Sequence, residues 1–407
     1  MIRRILALLI VFCLTINMNT MNIAADSLCS SDEHLELFGE SALLMDAATG
    51  TVLYEKDGFE KRAVASTTKI LTCLIALESA DLRDVVTVSA NAASQPDVQM
   101  HAEEGEQYIL YDLLIGMMLE SYNDISVAVA EHISGTVEGF AEKMNQKAKE
   151  IGCKNSFFIT PNGLDSIYRE MENESNAYDL ALILCEALKN TEFLSITRIR
   201  QHTIHEINDK RTVLAYNRNA FLDLYEGVLT GKTGFTGKAG YCYAGAVKQE
   251  DRTFVAVTLG SGWPPHKTYK WKDMKTLFDY GFKNFEYKTI EIEEHEKNIK
   301  IPVRNGKGTY YKQKVYTAAN VELGDTKRLL YKDDRYYGKL KMSDYLEAPV
   351  YKGQKAGTYE IYVNDTFLEE YDVLIAYDVE KLDFLTKTYQ ILRYIIDKIC
   401  GKSIEIT

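Results

Sequence analysis

The stretch Arg62-Ala-Val-Ala-Ser-Thr-Thr-Lys-Ile-Leu-Thr72 constrains this chain more than any other. Small and polar residues run up to Ser66, and apolar residues follow at Ile70, Leu71, Leu74, Ile75 and Leu77. That spacing predicts a helix whose N-terminus lies at Ser66, with Lys69 one turn on and on the same face. A serine so placed can act as a nucleophile, and an amine three residues later can take its proton. A helix start also offers free N–H groups and partial positive charge to a developing oxyanion. The same pattern describes an ordinary N-cap serine and a surface lysine, so the rest of the chain has to decide.

Two further short motifs follow in order. Ser121-Tyr-Asn123 interrupts a helical pattern that runs from Tyr111 to Glu120 and resumes at about Ile125. Lys232-Thr-Gly234 sits in Val228–Thr236, where β-branched residues lead into glycines and predict a strand. Strands are also expected on both sides of the Asp46–Gly50 turn, at Val85 to Val88, at Tyr241 to Val247 and at Thr253 to Leu259. Helices are expected at Val137 to Ile151, Ala177 to Leu188 and Thr268 to about Phe282. Strands at both ends with helices between them imply an α+β fold, an antiparallel sheet covered by helices. Beyond residue 288 short alternating segments dominate, and 289–380 reads as a small all-β domain. There Tyr359, Ile361 and Val363 would face one way, and Glu360 and Tyr362 the other. The tail 381–407 places Leu382, Leu385, Tyr389, Leu392, Ile396 and Ile399 on one helical stripe with Lys387, Arg393 and Lys398 interspersed. Such a helix lies on a membrane surface or packs on a neighbour, and is too interrupted by charge to span.

Together the three motifs resemble those of the penicillin-recognising serine enzymes. Within that group the chain looks like a low-molecular-mass penicillin-binding protein of the serine D-Ala-D-Ala carboxypeptidase family. Asp46-Ala-Ala-Thr-Gly50, Asn123-Asp124, Ala130–Gly135, Met144-Asn145, Pro161-Asn-Gly-Leu164, Ala177–Leu180 and Lys232–Gly240 carry the likeness. It covers roughly residues 37 to 285, and Leu346–Gln354 resembles the family's β-rich C-terminal domain. The resemblance implies a β-lactamase/transpeptidase-like sheet-and-helix domain over 26–288. It also implies removal of the terminal D-alanine from peptidoglycan stem pentapeptides, with β-lactams as inhibitors. Ser66 would be the acylated nucleophile and Lys69 its base, Ser121 a proton relay, and Asn123 a holder of the peptide amide and of Lys69. Lys232 and Thr233 would hold the terminal carboxylate, beside Gly234. The N–H groups of Ser66 and Phe235 would form the oxyanion hole. A free lysine is a poor base at neutral pH, so Lys69 would need a drop of roughly three pKa units from burial and a neighbouring cation such as Lys232. The family needs neither metal nor organic cofactor.

Departures from the family pattern are confined to a few positions. Tyr122 stands where the family commonly has a small residue, so a ring could narrow the cleft. The extra arginine the family often places near the last strand is not evident in Gly260–Lys267, and neither Lys267 nor Lys270 is aimed at the site by any pattern. Gly262-Trp-Pro264 resembles sporulation-associated members. The alternatives are a secreted β-lactamase and a non-hydrolytic cell-wall-binding protein on the same fold. The presence of both Ser66 and Lys69 argues against the wall-binding reading, and no E-x-x-L-N occurs at Glu170–Glu174, which argues against a β-lactamase of the glutamate type. That acidic cluster reads as a solvated loop, and His132 as a packed residue.

The net charge of −12 argues against nucleic acid as a partner. Arg3 and Arg4 precede an apolar run from Ile5 to Ile16 and a polar region ending Ile23-Ala-Ala25, the zones of a signal peptide, 1–25. Export to the outer face of the membrane or the wall follows from that reading. The 7 cysteines show no paired or metal-ligand spacing, and Cys73 and Cys185 fall among apolar helical neighbours as small core residues.

Overall fold

The computed structural model describes residues 34–400 except 166, 169, 170, 293–296 and 325; the expected signal segment 1–25 lies outside the described residues. The chain divides into two compact units, Met1–Asn284 and Phe285–Thr407.

The first unit is built on a five-stranded antiparallel sheet. Its strands are β1 (Ser41–Asp46), β2 (Val52–Lys56), β3 (Val228–Thr236), β4 (Gly240–Gln249) and β5 (Arg252–Leu259), in the order β2-β1-β5-β4-β3. All six residues of β1 are buried, because both faces of the sheet are covered. Leu43 and Met45 belong to the core shared with the helices, while Leu44 lies against Gly281 of the helix Tyr269–Asn284 on the other face. The β1–β2 turn closes through Asp46, which accepts from the Thr49 hydroxyl (2.7 Å) and N–H (3.1 Å).

On the inner face stand the helices α1 (Lys69–Ser79), α2 (Leu110–Leu119), α3 (Asn123–Ser134), α4 (Val137–Ile151) and α5 (Ala177–Ala187). Helix α1 is buried continuously from Lys69 to Ala76, so it is the central element of the domain. Each large aliphatic side chain there contributes about 1.5–3 kcal/mol by leaving water. Thr136 caps α4 by accepting from Gly139 N (3.0 Å), and Asn176 caps α5 by accepting from Asp179 N (2.7 Å). These helices on an antiparallel sheet form the expected α+β architecture. Cys73 is buried in α1 and Cys185 packs at the core margin; burial pushes the Cys185 thiol up to about 12.

The second unit begins earlier than residue 289: Phe285–Thr289 is a strand paired with Lys327–Tyr331. A six-stranded sheet follows, with Thr366–Ile375 and Val315–Val321 at its centre and Lys355–Val363 beside the former. Tyr359, Ile361 and Val363 are buried as the alternation requires. Glu360, on the opposite face, is covered as well, because Lys341 Nζ (2.6 Å) and the Tyr362 hydroxyl (2.5 Å) close over its carboxylate. The unit ends in the helix Phe384–Ile399, capped by Asp383 through Thr386 N (2.8 Å). Its stripe residues Leu385, Tyr389, Leu392, Ile396 and Ile399 are exposed. A different side meets the β-rich body: Gln390 is buried and donates to Gly308 O (2.7 Å), and Tyr394 packs on Tyr311. Among the described residues, no helix is long and apolar enough to cross a membrane.

Candidate active site

Ser66 lies in a 3-10 turn, Ala65–Thr68, that runs directly into α1. The turn is entered through Ala65 at φ +48° and is braced by Thr67, whose hydroxyl donates to Val64 O (2.6 Å). Lys69 follows one turn on, and its Nζ lies 2.8 Å from Ser66 Oγ. The same amine lies 2.8 Å from Asn123 Oδ1 and 2.8 Å from the main-chain carbonyl of Asn162. Those two oxygens can only accept, so they fix two of the nitrogen's tetrahedral directions with N–H bonds. The direction toward Ser66 is left for whichever of proton or lone pair the amine carries. A neutral Lys69 so held points its lone pair at the Ser66 hydroxyl.

The surroundings favour the neutral amine. Lys69 is fully buried, and burial pushes its pKa well below the usual lysine range. The charge of Lys232 pushes the same way, and the Asp124 carboxylate opposes both. Lys232 projects from β3, is itself buried, and is pushed down to about 7 by that burial. Its Nζ donates to Ser121 Oγ (2.9 Å) and to Thr233 O (3.0 Å). Two chains of contact therefore converge on one cleft, Ser66–Lys69–Asn123 and Ser121–Lys232.

Ser121 reaches Lys232 because the link between α2 and α3 takes a left-handed step, φ +73°, at Ser121. The step also turns Tyr122 inward. Its ring is buried against Gly116 and does not narrow the cleft, contrary to the expectation from its position in the motif. Asn123 and Asp124 then open α3. Asn123 Nδ2 donates to Pro96 O (3.0 Å), while Asp124 takes the N–H groups of Met100 (3.0 Å) and Ala102 (3.2 Å).

Strand β3 lies at the edge of the sheet, and its free side borders Ser66. A Cβ on Gly234 would stand 3.0 Å from Ser66 N and 3.1 Å from Val64 O, so only glycine lets the strand approach this closely. Strand periodicity puts Thr233 and Phe235 on the opposite face from Lys232. What these two residues bring to Ser66 is the strand's edge. The Phe235 ring packs at a tilt on Tyr241 (centroids 4.6 Å apart) at the rim. Beyond Phe235, the turn to β4 is propped by Trp263, whose indole donates to Gly237 O (2.8 Å). Thr236 bonds Asp165 (3.1 Å) across the cleft, and Lys238 pairs with Glu172.

Several groups at the site carry no signal in the sequence motifs. Asn162 acts through its main-chain oxygen, and Gly163 beside it has φ +79°, with a Cβ there meeting Ala65 O at 2.0 Å. Pro161-Asn-Gly is the trace that could have pointed to both. Arg218 donates its N–H to Leu119 O (3.1 Å), and its guanidinium pairs with Glu120 (2.6 Å), next to Ser121. The lysines considered earlier are elsewhere: Lys267 is exposed, and Lys270 lies over the rings of Tyr241 and Trp271 (4.6 Å each) with burial pushing it to about 8.

The segment 172–175 is not a solvated loop. Asn173 is buried and accepts from Ile159 N (3.1 Å), and Glu174 exchanges main-chain hydrogen bonds with Phe157 and pairs with Lys61 (2.7 Å). Glu170 lies outside the described residues. His132 is exposed and meets Asp84 (3.2 Å) on the far end of α3, so a carboxylate rather than apolar packing holds it.

A buried lysine between a serine and two fixed acceptors, facing a second buried lysine on an edge strand, defines an acyl-transfer site of the serine type. The sequence profile of the D-alanyl-D-alanine carboxypeptidases matches residues 29–262, and the chain belongs to that family. It is 33% identical over 358 residues to D-alanyl-D-alanine carboxypeptidase DacF of Bacillus subtilis, covering 85% of this chain and 87% of that one. Among solved structures, penicillin binding protein 5 from Haemophilus influenzae is similar at 26% identity and TM-score 0.65, over 86% of this chain and 100% of that one. The carboxypeptidase DacD from Francisella tularensis shares the fold at 24% identity and TM-score 0.68, over 89% and 99%.

Proposed function

We infer that the chain is a serine D-Ala-D-Ala carboxypeptidase that takes the terminal D-alanine from peptidoglycan stem pentapeptides, and that penicillin acylates the same serine. The observation that carries this reading is the Lys69 amine, buried, pushed toward neutrality, and aimed at Ser66 Oγ. Ser66 Oγ attacks the carbonyl carbon of the penultimate D-alanine, and its proton passes to Lys69 Nζ. The N–H groups of Ser66 and of the β3 edge at Phe235 face the oxygen that becomes negative. Collapse breaks the peptide C–N bond, and the departing amine takes a proton delivered by way of Ser121. Water then attacks the acyl-enzyme, with Lys69 again receiving the proton, and Ser66 is restored. The substrate's terminal carboxylate is held at Lys232 and at the edge of β3 beside Thr233.

The test is intact mass of the mature protein after brief exposure to benzylpenicillin, with D-alanine release measured on diacetyl-Lys-D-Ala-D-Ala. A penicilloyl adduct with D-alanine release is expected. Rapid penicillin turnover without an adduct would make the protein a β-lactamase. No adduct and no turnover of either compound would remove Ser66 as a nucleophile.

We also propose that the protein is exported and rests on the outer membrane surface through the helix Phe384–Ile399. Charged, apolar and small-residue zones over 1–25 support export, and a mass corresponding to a chain beginning after Ala25 is expected of the exported protein. The exposed stripe with Lys387, Arg393 and Lys398 among it supports the membrane contact. Co-sedimentation of the full mature chain with anionic phosphatidylglycerol vesicles is expected, and a Leu385→Ser, Ile396→Ser double variant should stay in the supernatant. Equal sedimentation of both would refute the helix's role.

A further inference from the structure

Asn123 holds Lys69, and a stretch of main chain holds Asn123. Its N–H donates to Val98 O (2.7 Å) and its amide to Pro96 O (3.0 Å). Residues 95–106 belong to no helix or strand, and His101 sits at φ +58°. A loop of that kind, left to itself, samples other positions at small cost. On its inner side, Asp124 takes the N–H groups of Met100 and Ala102.

Its outer side is closed by one guanidinium. Arg211 stands just before the second strand of the hairpin Gln201–His205/Thr212–Tyr216. It donates one N–H to Met100 O and another to His101 O, and pairs with Glu106 (3.2 Å). Glu106 is itself fixed by the Tyr108 hydroxyl (2.8 Å) and Glu103 N (2.9 Å). The loop is thus gripped from within through the N–H groups of Met100 and Ala102 and from without through the carbonyls of Met100 and His101. A planar fork can span two successive carbonyls, which the single ammonium of lysine does poorly.

We propose that Arg211 is a positioning residue for the Lys69 amine, acting through the 96–102 loop and Asn123 without touching substrate. The proposal rests on the acyl-transfer reading of the site. The charged groups facing Lys69 are Lys232 from β3 and Asp124 from α3; those around Arg211 are Glu106, with Tyr108 and Glu206 nearby. Without the clamp the loop lifts, Asn123 loses its two main-chain acceptors, and water reaches Lys69. The amine then recovers proton affinity, so the acid limb of the rate profile moves to higher pH.

The test compares wild type, Arg211→Ala and Arg211→Lys. It measures the benzylpenicillin acylation rate and D-alanine release from diacetyl-Lys-D-Ala-D-Ala between pH 5 and 9, with thermal unfolding alongside. Arg211→Ala is expected to slow acylation by about 10- to 100-fold, within the range of a displaced general base. The slowing should fall on kcat more than on KM, with an acid limb shifted upward. Arg211→Lys should fall between. If Arg211→Ala does not fold, Arg211→Lys decides on the same criteria. A folded variant with wild-type acylation and an unmoved acid limb would overturn the proposal, whatever its melting temperature. Failure of the wild type to acylate would instead overturn the reading of the site itself.

Discussion

Ser66→Ala is expected to give no penicilloyl adduct and to release D-alanine at least ~10⁴-fold more slowly than wild type, a loss of about 5 kcal/mol in transition-state stabilisation. The size follows from the absence of a substitute. Thr67 turns its hydroxyl into the Val64 carbonyl. Among the described residues, no hydroxyl other than that of Ser66 bonds the Lys69 amine. The alanine methyl leaves Lys69 with its two acceptors and leaves the Gly234 approach undisturbed, so the variant should fold. Intact mass and D-alanine release read the result, and an adduct on the variant would show that another residue is the nucleophile.

Lys69→Met should cost about 10³- to 10⁴-fold in acylation, and the wild-type rate should be bell-shaped in pH. The sign of each limb follows from the charge each lysine needs. Lys69 acts as a base only when neutral, so activity falls as pH drops through its lowered pKa. Lys232 binds a carboxylate only when charged, so activity falls as pH rises past about 7. The amines interact, so the limbs belong to the pair. Lys232→Gln should remove the alkaline limb and move the acid limb upward, because a charge that disfavours protonation of Lys69 has gone. A flat profile in wild type would contradict both assignments. The fold carries a cost for this chemistry. Holding Lys232 near pKa 7 against an unfolded value near 10.4 destabilises the protein by roughly 4 kcal/mol at pH 7. The unfolded chain binds more protons there, so stability should rise between pH 7 and 10.

Much of this was legible in the sequence because the relevant groups are side chains at short, fixed spacing. Ser66 and Lys69 share a helical face by arithmetic alone, and the β-branched run at Val228 announces the strand that carries Lys232. What was not legible lies in the main chain or in turns. The Asn162 carbonyl is an atom every residue possesses, so no residue type marks it. Tyr122 was misjudged because one left-handed residue before it reverses the direction of the ring. The acidic cluster Glu170–Glu174 reads as solvated from its carboxylates, but within its described part Asn173 and the pairing of Glu174 with Phe157 draw the chain in. Arg211 and Arg218 act at a distance in sequence that no local pattern encodes.

The Lys69 amine draws its partners from residues 66, 123 and 162, and Ser121 meets a lysine 111 positions away. No fragment of the first unit contains these groups in place, and a collapsed but unpacked chain would leave Lys69 hydrated and protonated. Covalent labelling by a fluorescent penicillin therefore counts molecules whose whole first unit has assembled. The same reagent that would stop the enzyme can serve as a quantitative probe of its folding.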